Sequence, residues 1–265
     1  MIKKHVVTWS VILTLLIVAT VFAYQLPPAE KSVVKVVNRT PVKSPQIEEV
    51  PQAIKVVKVE APKTKKVLMN FAKVTLPQGD KKAAAKMIKA LNTFSYARVQ
   101  THRLHRKAAE WFPIIEPILK SYGIPEDFKY MPLVESGLQG GESPKGAAGF
   151  WQFMPGTARS YGLKVNDKVD ERNNLRKSTI AACKYIKELH GIFGNWALVA
   201  AAYNVGDGHM RKQMDRQNQS NYFKMKLNRE TGAYVYKLIS MKQIIKNPVR
   251  YGYSARKELL ALNKE

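Results

Sequence analysis

The chain has 265 residues, enough for one or two domains, and a composition that permits a hydrophobic core. Its formal charge is +24, and residues 67–265 alone hold 33 lysines and arginines against 16 acidic residues, so the excess is not confined to a tail. Such a surface favours acidic partners such as nucleic acid, anionic lipid or the acidic polymers of a cell envelope. The single cysteine, Cys183, excludes an intrachain disulfide and a paired-cysteine metal site.

The opening MIKKHVVTWSVILTLLIVATVFAYQ sets Lys3 and Lys4 ahead of an uncharged run from Val6 to Ala23. Residues 1–23 therefore read as a signal peptide or a signal anchor. Ala23, with Val21 two positions before it, makes a tolerable cleavage site, and at about 1.5 Å per residue the run is almost long enough to span a bilayer. Residues 24–66 repeat proline, valine and lysine. The prolines interrupt any strand ladder, so a flexible, disordered tether is expected there. Export makes nucleic acid the least fitting of the acidic partners, and no specific nucleic acid is expected.

Helix signals dominate residues 67–265. KKAAAKMIKALNTFSYARV, from Lys81, combines good helix formers with an apolar set at Met87, Ile88 and Leu91. Residues 100–119 place Leu104, Ala108, Trp111, Phe112 and Ile115 on one face, with Pro113 and Pro117 predicting a bend or a new start. SYGIPEDF reads as a turn into another helix, with Pro125, Glu126 and Asp127 suited to its positive end. QGGESPKGAAG reads as a glycine-rich loop, followed by a short helix that Gly162 ends. Ile180, Cys183, Ile186 and Leu189 then share a helix face, and NWALVAAAYN predicts a helix buried between others, closed by the GDG at 206–208. A last helix runs from near Arg229 and stops before Pro248. The chain lacks a phosphate-loop sequence and the strand–helix alternation of a nucleotide-binding fold. One mostly helical domain is expected.

Within MPLVESGL, Glu135 stands among apolar and small residues. Burial there would raise its pKa and keep it protonated near neutral pH, the state needed to donate a proton to a glycosidic oxygen. A solvated helix charge, or a cap for the following loop, fits the octet as well. Gly149 to Pro155 combine Phe150, Trp151 and Phe153 with the amide of Gln152. An aromatic can stack on a sugar while an amide reads its hydroxyl or acetamido groups, though packing in the core suits at least two of these aromatics better. Tyr203 and Asn204 end a very apolar helix and need polar partners, which a substrate could supply. His102 and His105 lack a nearby carboxylate to complete a metal set, and Cys183 beside Ala182 reads as buried packing. No metal or cofactor is expected.

VESGL, GAAGFWQFMPGTAR, ALVAAAYNVGDG and RETGAYV, in this order, resemble the catalytic domain of the lytic transglycosylases. These are lysozyme-like enzymes that cleave peptidoglycan, and the likeness is greatest to the membrane-bound murein transglycosylase D group. The resemblance implies a lysozyme-like domain over residues 67–265, with Glu135 as the sole catalytic acid. Ser136 would support it or the substrate, and Gln152, Tyr203, Asn204 and Tyr234 would line the groove. It further implies cleavage between N-acetylmuramic acid and N-acetylglucosamine without water, leaving 1,6-anhydromuramyl ends. The implied partner is the peptidoglycan glycan strand, the implied place the periplasmic side of the envelope with possible membrane attachment, and the expected state a monomer.

Two departures stand out. An Asn-Pro pair common after the Glu-Ser is Gln139-Gly140 here, with a second carboxylate at Glu142, and the arginine often found after Glu-Thr is Gly232. If Glu142 reached the cleft as a base, water would attack and the enzyme would be a hydrolytic muramidase. A non-catalytic peptidoglycan-binding protein is the other alternative. Glu230 reads first as a helix-end charge that could also brace Tyr234 or the catalytic region.

Overall fold

The computed structural model describes residues 68–99, 102–136 and 141–255. The expected signal or anchor at 1–23 and tether at 24–66 lie outside them. All described residues fall within one unit, Lys63–Glu265, and they are mostly helical. Among them no helix is long and apolar enough to cross a membrane.

A hairpin too short to predict comes first, pairing β1 (Asn70–Phe71) with β2 (Val74–Thr75). Its turn puts Ala72 and Lys73 at φ 47° and 68°, a left-handed pair whose twist matches a two-residue hairpin. Asp127 holds the turn in place. Its Oδ2 accepts from the Ala72 N–H at 2.7 Å and from Lys242 Nζ at 2.6 Å.

α1 (Lys81–Phe94) begins at Asp80, whose carboxylate accepts from the backbone N–H groups of Lys82 and Ala83. Its buried stripe is Ala83, Met87 and Ala90, whereas Ile88, expected on that face, is 60% exposed. A short α2 (Tyr96–Val99) leads towards α3 (Arg103–Ser121). α3 continues unbroken through Pro113 and Pro117, so no new helix starts there. The prolines are four apart and both exposed, so the carbonyls of Ala109 and Pro113, which lose their helical donors, face water. The opposite face buries Leu104, Ala108, Trp111 and Ile115.

A 3-10 turn over Glu126–Tyr130 runs directly into α4 (Met131–Glu135). Met131, Pro132 and Leu133 are buried, which anchors the short helix and brings Glu135 to its end. The short α5 (Pro155–Ser160) is closed by Gly162 at φ 92°. α6 (Leu175–Phe193) is capped by Asn174 and buries Cys183, Ile186 and Leu189, with Ile180 half-buried. Burial pushes the Cys183 thiol up to about 12, so it packs as an inert apolar group.

α7 (Trp196–Val205) lies at the centre, with Ala197 to Ala202 all buried. Small residues let α6 and α9 approach it closely. α8 (Asp207–Gln217) was not expected, because DGHMRKQMDRQ is almost entirely polar and buries only Met210 and Gln213. α9 (Thr231–Lys246) packs against α1, α4 and α7 and buries Val235, Leu238, Ile239, Met241 and Ile244. Each such side chain contributes about 1.5–3 kcal/mol. The packing of α9 also carries Tyr234 to the end of α4.

Candidate active site

Glu135 is half-buried at the end of α4. Tyr234, from the second turn of α9, donates its phenol hydrogen to Glu135 Oε1. Burial pushes the Glu135 carboxyl from its ordinary 4.5 up to about 7. The Tyr234 hydrogen bond opposes that rise, the Glu230 carboxylate adds to it, and Lys237 opposes it. Burial wins because the apolar end of α4 strips water from the charged form faster than one phenol replaces it. Beside Glu135, the Ser136 hydroxyl is buried and makes no hydrogen bond among the described residues.

Tyr203 is the second phenol near the carboxyl. It donates to the Trp151 carbonyl at 2.9 Å, and burial, with the Glu135 charge next, holds its own pKa well above the ordinary phenol value. Asn204 faces the start of α9, where its Nδ2 donates to Glu230 Oε1 at 3.2 Å and its Oδ1 accepts from Thr231 Oγ1 at 3.0 Å. The polar ends of α7 thus find their partners inside the protein. Tyr203 tethers the loop that carries Trp151, and Asn204 fixes the residue that starts α9.

Gln152 occupies the loop wall. Its Nε2 donates to the carbonyls of Gly149 at 2.9 Å and Gly141 at 3.2 Å, so its nitrogen is spent on the loop and its Oε1 is left for a ligand. The backbone of Gln152 is held at φ 48°, a conformation that persists only where surrounding contacts enforce it. Arg172 is what enforces it. Buried and paired with Asp170, it donates to the carbonyls of Gly146 at 2.7 Å and Phe153 at 3.1 Å. Gly149 is required at this point, since a Cβ there would lie 2.0 Å from the Arg172 carbonyl oxygen.

Two of the three loop aromatics belong to the core, as expected. Trp151 and Phe153 are 0% and 2% exposed, and the Trp151 indole donates to Thr179 Oγ1. They are core, and Phe150 alone of the three is half-buried. The accessible aromatic row runs instead from Tyr203 to Tyr185, ring centres 5.2 Å apart, and on to Tyr161 at 5.0 Å. Tyr185 and Tyr161 were missed because their neighbours in sequence are ordinary helix and turn residues.

All six candidates therefore form one connected set. Glu135 and Tyr234 touch, Ser136 adjoins, Tyr203 senses the Glu135 charge, and Asn204 reaches it through Glu230. Gln152 joins through the loop that Tyr203 holds. Glu142 does not join. It is exposed, and its carboxylate acts on Arg172, whereas the acidic neighbour whose charge reaches Glu135 is Glu230. Gln139 and Gly140 lie outside the described residues.

With this geometry in place, residues 113–226 match the Transglycosylase SLT domain. That segment is under half of the chain. It contains Glu135, Ser136, Gln152, Tyr203 and Asn204, while Tyr234 lies just beyond the matched residues. The chain is 33% identical over 186 residues to "Membrane-bound lytic murein transglycosylase D" of Escherichia coli strain K12, and equally to its counterpart in Escherichia coli O6:H1. The match takes in 68% of this chain and 40% of each relative, so the chain spans well under half the length of those proteins. A solved structure of an inactive mutant of lytic transglycosylase Slt from Pseudomonas aeruginosa is 19% identical with a TM-score of 0.41, covering 64% of this chain and 33% of that one. That likeness is too slight to bear on the site.

Proposed function

We propose that the protein is a peptidoglycan lytic transglycosylase with Glu135 as its one catalytic carboxyl group. The observation that carries this reading is the Glu135 carboxyl raised to about 7 and bonded by Tyr234 at the end of α4, inside a segment homologous to the SLT domain. An acid poised at that value is available both to give and to take a proton near neutral pH.

Tyr234 occupies Oε1, leaving Oε2 to carry the transferable proton. In the first step that proton passes to the oxygen joining N-acetylmuramic acid to N-acetylglucosamine, the bond from that oxygen to the muramyl C1 breaks, and the acetamido oxygen of the muramyl sugar supports the electron-poor carbon. In the second, the Glu135 carboxylate takes the proton from the same sugar's C6 hydroxyl and O6 bonds to C1, closing a 1,6-anhydro ring. The proton count balances, and Glu135 ends as it began. Because the nucleophile belongs to the substrate, no second carboxylate is needed, which agrees with Glu142 facing Arg172 and Glu230 being held by Asn204. Ser136, with its free hydroxyl, and Gln152, with its free carbonyl, are the groups we assign to substrate contact, alongside Tyr203, Asn204 and Tyr234. The basic surface suits an acidic cell-wall polymer.

In the same reading, residues 1–23 direct export or anchor the chain, residues 24–66 tether it, and residues 67–265 act on glycan strands in the envelope as a lysozyme-like monomer. The test is digestion of purified peptidoglycan by the full chain, followed by mass analysis of the products. Ends lighter by one water than hydrolysis products, absent with Glu135→Gln, are expected. Reducing ends would establish a hydrolytic muramidase, and bound but uncut strands a scaffold protein.

A further inference from the structure

A cavity of about 570 Å³ lies between α1 and the start of α9 and shares Glu230 with the surroundings of Glu135. Lys86 and Lys89 from α1 line it together with Arg229, Glu230 and Lys237, four cations to one carboxylate. Lys89, Arg229 and Lys237 form no ion pair among the described residues. Lys86 reaches only the Gly232 carbonyl at 3.4 Å and the face of Tyr236 at 5.5 Å. Like charges gathered around an open space repel one another unless something neutralises them. The volume falls in the range of ordinary ligand sites.

Two further features tie the cavity to the reaction. Glu230 and Lys237, both in its wall, are the charged groups that act on the Glu135 carboxyl, so an anion held there lies close to the cleaved bond. Gly232 also lines it. A side chain at that position would start 3.4 Å from the Leu227 carbonyl, itself part of the lining. With glycine there, no side chain fills this wall.

We propose that this cavity is a subsite for the acidic peptide carried on the muramyl lactyl group, its carboxylates taken by Lys86, Lys89, Arg229 and Lys237. This inference rests on the peptidoglycan reading above. The sugar rings of the strand carry no charge of their own, so the peptide is the part of that substrate that four cations beside the cleavage point can recognise. Glu230 in the same wall suits a ligand that also bears an amine, which a peptide provides and a bare phosphate polymer does not.

Binding tests it without requiring turnover. Full-chain protein carrying Glu135→Gln is titrated with soluble glycan strands that keep their peptides and with strands stripped by an amidase, which leaves one lactyl carboxylate on each muramyl sugar in place of the several charges of the peptide. Peptide-bearing strands should bind about tenfold more tightly at low salt, as expected for two or three surface charge pairs, and the preference should shrink as salt screens them. Adding Lys89→Ala and Arg229→Ala, both exposed positions where truncation leaves the fold intact, should bring the two affinities within about twofold. A free acidic stem peptide should compete, and inorganic phosphate at matched ionic strength should not. Equal binding of both strands, a preference that survives the double change, or equal competition by phosphate would overturn the proposal. Wild-type digestion run alongside separates the two readings. A preserved binding preference with no cleavage product rejects the enzyme and keeps the subsite.

Discussion

Replacing Glu135 by glutamine should change the pH dependence of stability more than stability itself. The carboxyl is raised from 4.5 to about 7, so the folded state holds its proton more tightly than the unfolded chain. That preference stabilises the fold fully below pH 4.5 and is lost as pH rises through about 7. Each unit of the rise corresponds to about 1.4 kcal/mol, so the wild type loses about 3 kcal/mol across this window relative to a variant that cannot ionise. For a domain of this size that is roughly 6–10 °C in melting temperature. Glutamine keeps the shape and still accepts from Tyr234, so the comparison isolates the charge. Thermal melts of both proteins by circular dichroism from pH 4 to 9 should show a Tm difference, variant minus wild type, that is flat below pH 4.5, climbs to about pH 7 and then levels. A difference constant across the range would mean that Glu135 titrates as an ordinary surface carboxylate, and the burial argument would fail.

Three other substitutions probe the supports of the site. Tyr234→Phe removes the hydrogen bond that favours the Glu135 carboxylate. The loss of activity at high pH should therefore move to still higher pH, with turnover down by roughly ten- to a hundredfold from lost positioning, both read from product formation against pH. Gly149→Ala places a Cβ 2.0 Å from the Arg172 carbonyl oxygen at a φ of 77° and should destabilise by at least about 2 kcal/mol, seen as a lower Tm and faster proteolysis within 141–149. Trp151→Ala empties a fully buried site and removes the indole donor to Thr179, whose hydroxyl keeps its bond to the Leu175 carbonyl. The emptied volume should cost about 3–5 kcal/mol in urea unfolding, far more than a sugar-stacking surface residue would.

The helical architecture was legible where periodicity or composition is one-sided. The buried alanines of α7 and the Cys183, Ile186 and Leu189 face of α6 follow from spacing alone. α8 was hidden because a helix that buries only Met210 and Gln213 has no apolar face to announce it. The prolines of α3 start no new helix because they lie on its exposed side, where the carbonyls they orphan can meet water, which no local pattern states. The octet around Glu135 made a raised pKa conceivable, but the partner that shares its Oε1 is Tyr234, 99 residues away. Only the packing of α9 on α4 brings them together. Arg172 illustrates the same limit, since its carbonyl partners at Gly146 and Phe153 lie across a loop that no short-range signal connects.

In the proposed mechanism Glu135 hands the reaction to the substrate's own hydroxyl and keeps water out of it. Digesting peptidoglycan with the full chain in water enriched in oxygen-18 tests this. New 1,6-anhydro ends with no heavy oxygen are expected, and no new ends at all with Glu135→Gln. Heavy oxygen at the newly formed muramyl ends, or cleavage that persists without the Glu135 carboxyl, would contradict it.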